Sequence, residues 1–403
     1  MNIYFFYPSR IIGGAEYLFV NLANKLSETY NYDVFYVDYN DGFSSSKLKD
    51  SVSRINYIED KQVFISRDSV IVMQLNLLDN FYEIFEFDGN YYPLFWGINP
   101  NNLVGKIKLL DVNITSRNFR KNCGSLIKSL IKSGNIIFMD SANQLALEST
   151  FFFEHINSRY VPVPIDEKRV KSDFFPTEFN GTIIRFAWLG RLDDDKLPTL
   201  ITYMNEIEAF NKKKKCSLTI IGNGTRYNVV KNLTSKYSYF IDFVGILTGG
   251  ELDTFIDSHV DIGVGMGTSV LEFSKRGVPA ILKGFMNKPL HSGICNDYIV
   301  TNEIEGYSLG SIDGVCLHNP AESNFEDKVD YIIDNFRVES EKCFVYVCNH
   351  HTIEKSTSSL VNAVNKLLKD NNLVNCDLLS KKMAKVEKRK QKIEKILRSI
   401  FNK

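Results

Sequence analysis

Two cations stand five positions apart in Leu189-Gly190-Arg191-Leu192-Asp193-Asp194-Asp195-Lys196, directly after an apolar run. A planar guanidinium bonds two oxygens at once and a flexible ammonium follows charge as it develops, so Arg191 and Lys196 suit a departing diphosphate. A pair of surface bases neutralised by Asp193 to Asp195 is the competing reading. Further on, Gly263-Val264-Gly265-Met266-Gly267 leads into Thr268, Ser269 and Glu272. Amide groups at such a helix start hold phosphate, and a carboxylate one turn inside accepts bonds from both hydroxyls of a ribose diol. An ordinary solvent-facing helical glutamate is the alternative. Gly13-Gly14-Ala15-Glu16 offers bare backbone at another helix start, where an anion binds well, although a plain chain turn explains the pair equally. Gly222 and Gly245 each close a strand-like run and present backbone that suits a flat base or a ribose edge.

These residues need elements to place them. Met1 to Tyr7 is an apolar run of strand length, and Tyr17 to Leu26 carries Leu18, Phe19, Leu22 and Leu26 at helical spacing. Asp33 to Asp38, Ser69 to Leu75 and Asn135 to Met139 read as further strands. A second series follows: strands over 182–188, 216–221, 239–244, 261–264 and 279–282, with helices over 198–210, 250–259 and 269–276. Between the two series, Tyr160-Val-Pro-Val-Pro-Ile165 cannot be interior helix, because each proline fixes its own backbone and extends the residue before it. Strands alternating with helices predict an α/β chain of two halves, each a doubly wound parallel sheet, with ligand loops at the carboxyl ends of the strands.

Composition narrows the functional classes. The chain has 403 residues, 44% hydrophobic and 24% charged, which excludes global disorder and predicts two domains. Lys plus Arg equal Asp plus Glu at 48 each, so no basic field draws nucleic acid and no such partner is expected. The seven cysteines contain no C-x-x-C pair, which speaks against a disulfide framework or a thiolate zinc site and for a cytoplasmic protein. The histidines lack ligand spacing such as H-E-x-x-H, and Asp193 to Asp195 adjoin two bases; no bound metal is expected. The amino-terminal run turns polar after seven residues, too early for a secretory signal.

The carboxyl end departs from this balance. Residues 381–403 hold ten Lys and Arg against Glu387 and Glu394, and Leu379, Met383, Val386, Lys390, Ile393, Leu397 and Ile400 are spaced as one helical stripe. A basic amphipathic helix over 375–403 suits an anionic membrane surface, reached through residues 379–403. The same spacing is a heptad seam, so self-association into a homo-oligomer is the alternative.

In this order the segments resemble glycosyltransferase family four, whose members have the GT-B fold of two Rossmann-like domains facing an interdomain cleft. The resemblance runs from Gly13-Gly14 to about residue 285. It implies that Arg191 and Lys196 contact the donor diphosphate, that Glu272, followed by Gly277-Val278-Pro279, holds the donor ribose, and that Gly13-Gly14 approaches donor phosphate and acceptor. It implies no cofactor beyond a nucleoside diphosphate sugar of UDP or GDP type as co-substrate. Two positions depart from it: Val264 stands where the family often carries a sugar-contacting glutamate, and the first half offers only His155, beside the connector, which receives no role. Phe95-Trp96-Gly97-Ile98-Asn99-Pro100 lines the acceptor side or is simply a buried tryptophan before a turn.

The domains expected are 1–165 on the acceptor side, a linker over 166–181, a nucleotide-sugar domain over 182–355, and a helix over 356–374 packing back on the first domain, ahead of the basic tail. The function expected is metal-independent, retaining transfer of a sugar to a lipid-linked or surface-polysaccharide glycan, at the inner face of the cell membrane. A nucleotide-sugar epimerase of the same fold and a catalytically silent scaffold of glycan assembly are the rivals.

Overall fold

The computed structural model describes residues 1–11, 14–78, 80–98, 117–165, 179, 181–286, 288–290, 298–310 and 324–369, with side chains of the helix at 117 described from residue 123. Gly13, residues 99–100 and the basic tail lie outside that set. The chain divides into Met1–Pro162 together with the segment from Ser356 onward, and Val163–Lys355.

The first unit contains β1 (Asn2–Phe6), β2 (Asp33–Asp38), β3 (Val52–Asn56), β4 (Val63–Ile65), β5 (Ser69–Gln74), β6 (Phe85–Phe87), β7 (Tyr91–Gly97) and β8 (Ile136–Phe138). Among the described residues its main sheet runs β3-β2-β1-β5-β7-β8, all parallel, while β4 and β6 form a separate parallel pair. The centre is apolar throughout: β5, Ser-Val-Ile-Val-Met-Gln, is buried along its first five residues, as a strand covered on both faces must be. Edge strand β3, Val-Ser-Arg-Ile-Asn, buries only Val52. Alternation along β1 sends Tyr4 and Phe6 into a core with Phe81, Phe85 and Phe95, while Phe5 meets Phe19 of the helix Gly14–Thr29.

β7 contains Pro93, which a central strand ordinarily rejects for its missing N–H. Here pairing with β8 begins only at Phe95↔Ile136, so no ladder bond is required of residue 93 on that side. The Asn135 side-chain amide donates instead to the Pro93 carbonyl at 2.9 Å. The helix Ser141–Phe151 is opened by Asp140, whose carboxylate accepts from the Asn143 amide at 2.8 Å. Residues 353–369 form another helix, and within the first unit its Ser356 hydroxyl donates to the Pro162 carbonyl at 2.7 Å.

The second unit repeats the plan with β9 (Ile184–Leu189), β10 (Cys216–Ile221), β11 (Phe240–Gly245), β12 (Ile262–Gly265), β13 (Ala280–Leu282) and β14 (Ile299–Val300). The described sheet runs β11-β10-β9-β12-β13-β14, parallel except for the last pair. Along β9, Ile184, Phe186 and Trp188 join one core, with Tyr203 and Tyr298, whereas Ala187 joins another, with Leu252, Leu271 and Phe273. Two cores on opposite faces of one sheet are the mark of a doubly wound unit.

Candidate functional site

In the second unit the strand order reverses between β9 and β12, and the turns leaving their carboxyl ends emerge side by side. An open α/β sheet forms its ligand crevice at this switch point. Arg191 and Lys196 follow β9, Thr268, Ser269 and Glu272 follow β12, and Gly222 and Gly245 follow β10 and β11. The topology thus brings these seven residues to one edge of a single sheet.

Backbone contact sets the shape of that edge. Gly190 N–H donates to the Ile221 carbonyl at 3.0 Å, and Gly222 N–H donates to the Gly245 carbonyl at 2.7 Å. Gly222 has φ +143°, and a β-carbon on it would lie 2.0 Å from the Gly190 oxygen. The bare backbone at 222 is therefore occupied by the chain itself. Gly245, at φ +75°, differs: no atom lies within 4 Å of where its β-carbon would stand.

The charges here are unequally matched. Arg191 donates from one guanidinium nitrogen to Asp193 at 2.6 Å and from the other to Asp195 at 3.3 Å. Asp194 takes the Arg226 guanidinium at 2.6 and 3.0 Å, and the Asp193 carboxylate also accepts from the amide and hydroxyl of Thr225. All three aspartates are thereby engaged. Lys196 is half-buried, and among the described residues its ammonium has no hydrogen-bond or ion-pair partner. Burial first, and the charge of Arg191 second, hold its pKa below the ordinary lysine range. The charges of Asp195 and Asp193 act on it without a direct bond, so the ammonium keeps its hydrogen-bonding capacity for an anionic ligand.

After β12 the chain turns tightly. A β-carbon at Gly265 would stand 2.5 Å from the Ser269 hydroxyl, which donates to the Met266 carbonyl at 2.9 Å. Thr268 is exposed and makes no side-chain cap bond to the short helix Ser269–Ser274. Glu272 on that helix is not a freely solvated side chain, because the Lys275 ammonium is bonded to its Oε2. Lys275 is fully buried and also lies 3.9 Å from Asp253 on the helix Gly249–His259. The spacing of Glu272 and Lys275 is visible in the sequence, but nothing there says that a lysine would be buried.

The first unit has its own switch point, between β1 and β5. Gly14 opens the first helix there, and the position of its missing β-carbon has no neighbour within 4 Å. Glu16, in the first turn of that helix, is buried and accepts from the Ser9 hydroxyl at 2.8 Å. The Tyr7 phenol lies against Glu16 and Gln74, and burial, with the Glu16 charge beside it, pushes its pKa up to about 12. Sequence reasoning quotes Glu16 within the glycine turn but passes over Tyr7, Ser9 and Gln74, because Tyr, Ser and Gln carry no motif of their own. Trp96 lies inside β7 and is fully buried, so its side chain is part of the core. His155 pairs its Nδ1 with the buried Glu148 at 3.1 Å.

Neither a family model nor a curated protein sequence matches the chain. Solved structures do. A glycosyltransferase from Rickettsia africae is similar at 13% identity over 91% of this chain and 98% of that one, with a TM-score of 0.56. The apo form of the lipopolysaccharide outer core galactosyltransferase WaaB is similar at 11% identity, covering 91% and 99%, with a TM-score of 0.52. The amino-terminal domain of Candida albicans trehalose-6-phosphate phosphatase is similar at 13% identity, covering 91% and 98%, with a TM-score of 0.51. The two doubly wound units described above are those of the GT-B fold of sugar transferases, a likeness of shape at low sequence identity.

Proposed function

We propose that this chain is a glycosyltransferase that moves a sugar from a nucleoside diphosphate sugar to a glycan acceptor. One observation carries the reading: the half-buried Lys196, with no direct hydrogen-bond or ion-pair partner for its ammonium among the described residues, stands beside Arg191 at the switch point of the second unit. As the bond from the anomeric carbon to the diphosphate oxygen breaks, negative charge gathers on that oxygen and its phosphate. Lys196 receives it, and Arg191 exchanges Asp193 and Asp195 for phosphate oxygens. Glu272 takes the ribose diol, the amides of the turn around Thr268 and Ser269 border the phosphates, and Gly245 leaves room for the base. The transition-state charge is thereby met by side chains of the protein, a metal-independent route. In the first unit, the turn at Gly14 with Ser9 and Glu16 presents hydroxyl-binding groups to the acceptor. The likeness to WaaB supports an acceptor of surface-polysaccharide type, and the basic residues around the apolar stripe in the sequence of residues 379–403 suit a lipid-linked one held at a membrane surface.

Thermal melting of the full chain with UDP, GDP, dTDP, ADP and CMP tests the donor site. One nucleoside diphosphate is expected to raise the melting temperature, and Lys196→Ala to abolish the rise. No response to any of them supports the silent scaffold instead. Incubation with donor sugar alone separates the epimerase, which needs no acceptor and returns an epimerised sugar.

A further inference from the structure

Lys275 and Lys283 are the buried lysines of the second unit among the described residues, and Lys275 is the one that meets a candidate site residue. Its side chain is completely shielded from solvent, its ammonium is bonded to Glu272 Oε2, and Asp253 stands 3.9 Å away on a different helix. Lysine is almost never fully buried without such partners, because stripping water from an ammonium is costly. As a device for stability the arrangement is poor, since a well-packed apolar side chain of like volume commonly does as well or better. What a buried cation does supply is direction. It ties one oxygen of a partly exposed carboxylate to a point that cannot move, so the plane of that carboxylate is set before any ligand arrives. A carboxylate has about four acceptor positions, so a single ammonium does not exhaust what it can accept.

We propose that Lys275, backed by Asp253, is a positioning residue that orients Glu272 to recognise a ribose diol, and that the chain distinguishes ribonucleotide from 2′-deoxyribonucleotide donors through it. This rests on the assignment of Glu272 to the donor ribose. A site arranged to hydrogen-bond two hydroxyls loses an interaction with a charged group when one hydroxyl is missing, which corresponds to about a 10- to 100-fold loss of affinity. That selectivity depends on the carboxylate being held still. A carboxylate that loses this buried tie would reorient at lower cost and lose much of the preference.

The test uses the full-length protein with UDP and 2′-deoxy-UDP, and in parallel GDP and 2′-deoxy-GDP, measuring affinity by calorimetry and melting temperature without ligand. Wild type is expected to prefer the ribonucleotide at least tenfold, and Glu272→Gln to bring the preference within about threefold. Lys275→Met combined with Asp253→Asn removes one positive and one negative charge together. It is expected to lose the preference as Glu272→Gln does while melting close to wild type, and Lys275→Arg to restore part of it. Should the double variant keep the wild-type preference, Lys275 is structural only and the proposal falls while the role of Glu272 stands. Should Glu272→Gln keep it, or wild type show none, the ribose assignment itself fails and takes this proposal with it. If the double variant does not fold, Lys275→Arg decides alone: wild-type stability with no recovered preference overturns the proposal.

Discussion

Gly222 meets Gly190 backbone to backbone, so closely that a methyl group on the α-carbon of residue 222 would stand 2.0 Å from the residue 190 carbonyl oxygen. The turns after β9 and β10 are thereby fitted together before any ligand is considered. Gly222→Ala should destabilise the second unit by about 3 kcal/mol or more, through both the clash and the φ of +143°. Gly245→Ala, at φ +75° with empty space around it, should cost only about 1 kcal/mol of backbone strain. Urea unfolding of the two variants checks this, and equal losses would contradict the packing described.

Arg191→Ala should lower kcat by about 100-fold with a small change in KM, because its match to the diphosphate is best as the bond breaks. Lys196→Ala should lower kcat at least as much and weaken product diphosphate binding as well. Steady-state rates with varied donor separate the two effects. An unchanged kcat in both variants would remove these side chains from the reaction.

The half-buried Lys196 also predicts a pH dependence. Its pKa lies below the ordinary lysine range, and the charged form, the one a diphosphate binds, is lost as pH rises. Affinity for the nucleoside diphosphate should therefore decline as pH rises toward the ordinary lysine range, earlier than an exposed lysine would give, with proton uptake on binding. Lys196→Arg should shift the decline upward. Calorimetry in buffers of different ionisation enthalpy measures the uptake, and its absence across the alkaline range would count against the assignment.

His351 predicts a dependence of stability at the acid end. Its ring is fully buried, Nδ1–H donates to the Val163 carbonyl at 2.8 Å, and Nε2 has no partner among the described residues. Burial lowers the pKa from 6.5 to about 4, so the unfolded chain takes up a proton in a window where the folded one does not. Stability is complete above pH 6.5 and falls as pH drops toward 4, by on the order of 3 kcal/mol. Asp140, buried with its pKa raised to about 6, acts in the opposite sense, being stabilised by protonation as pH falls. The comparison is thus between wild type and His351→Asn, melted at about pH 7 and about pH 4.5. The variant should lose less stability on acidification than wild type.

Much of the sheet architecture was readable from residue patterns. Runs rich in β-branched, aromatic and small apolar residues, bounded by polar or charged segments, are legible as strands, which is why Cys216–Ile221 is found to the residue and Asp33–Asp38 likewise, although Ser217 and Thr219 interrupt the first. Polar edges and short pairs were missed: β3 shows no apolar run, and β4 and β6 have three residues each. Pro93 conceals β7, because the side-chain bond from Asn135 that accommodates it comes from 42 positions away. At the candidate site, glycines and charges announce the turns but not their partners. The pairing of Arg191 with Asp193 and Asp195 could be anticipated from spacing, whereas the closure of Gly222 on Gly190 and the burial of Lys275 depend on tertiary packing.

The first unit is built from two separated stretches of chain, with the helix over 353–369 returning to place Ser356 against Pro162 and Asn365 against Tyr32. Translation therefore delivers its pieces out of step. The opening 162 residues leave the ribosome without their closing helix, and the whole of Val163–Lys355, an uninterrupted stretch, emerges and can fold before that helix appears. The second unit is thus the one able to mature first during synthesis, and a nascent chain ending at residue 355, followed by a linker long enough to clear the ribosomal tunnel, should already protect it from protease while leaving the amino-terminal half exposed.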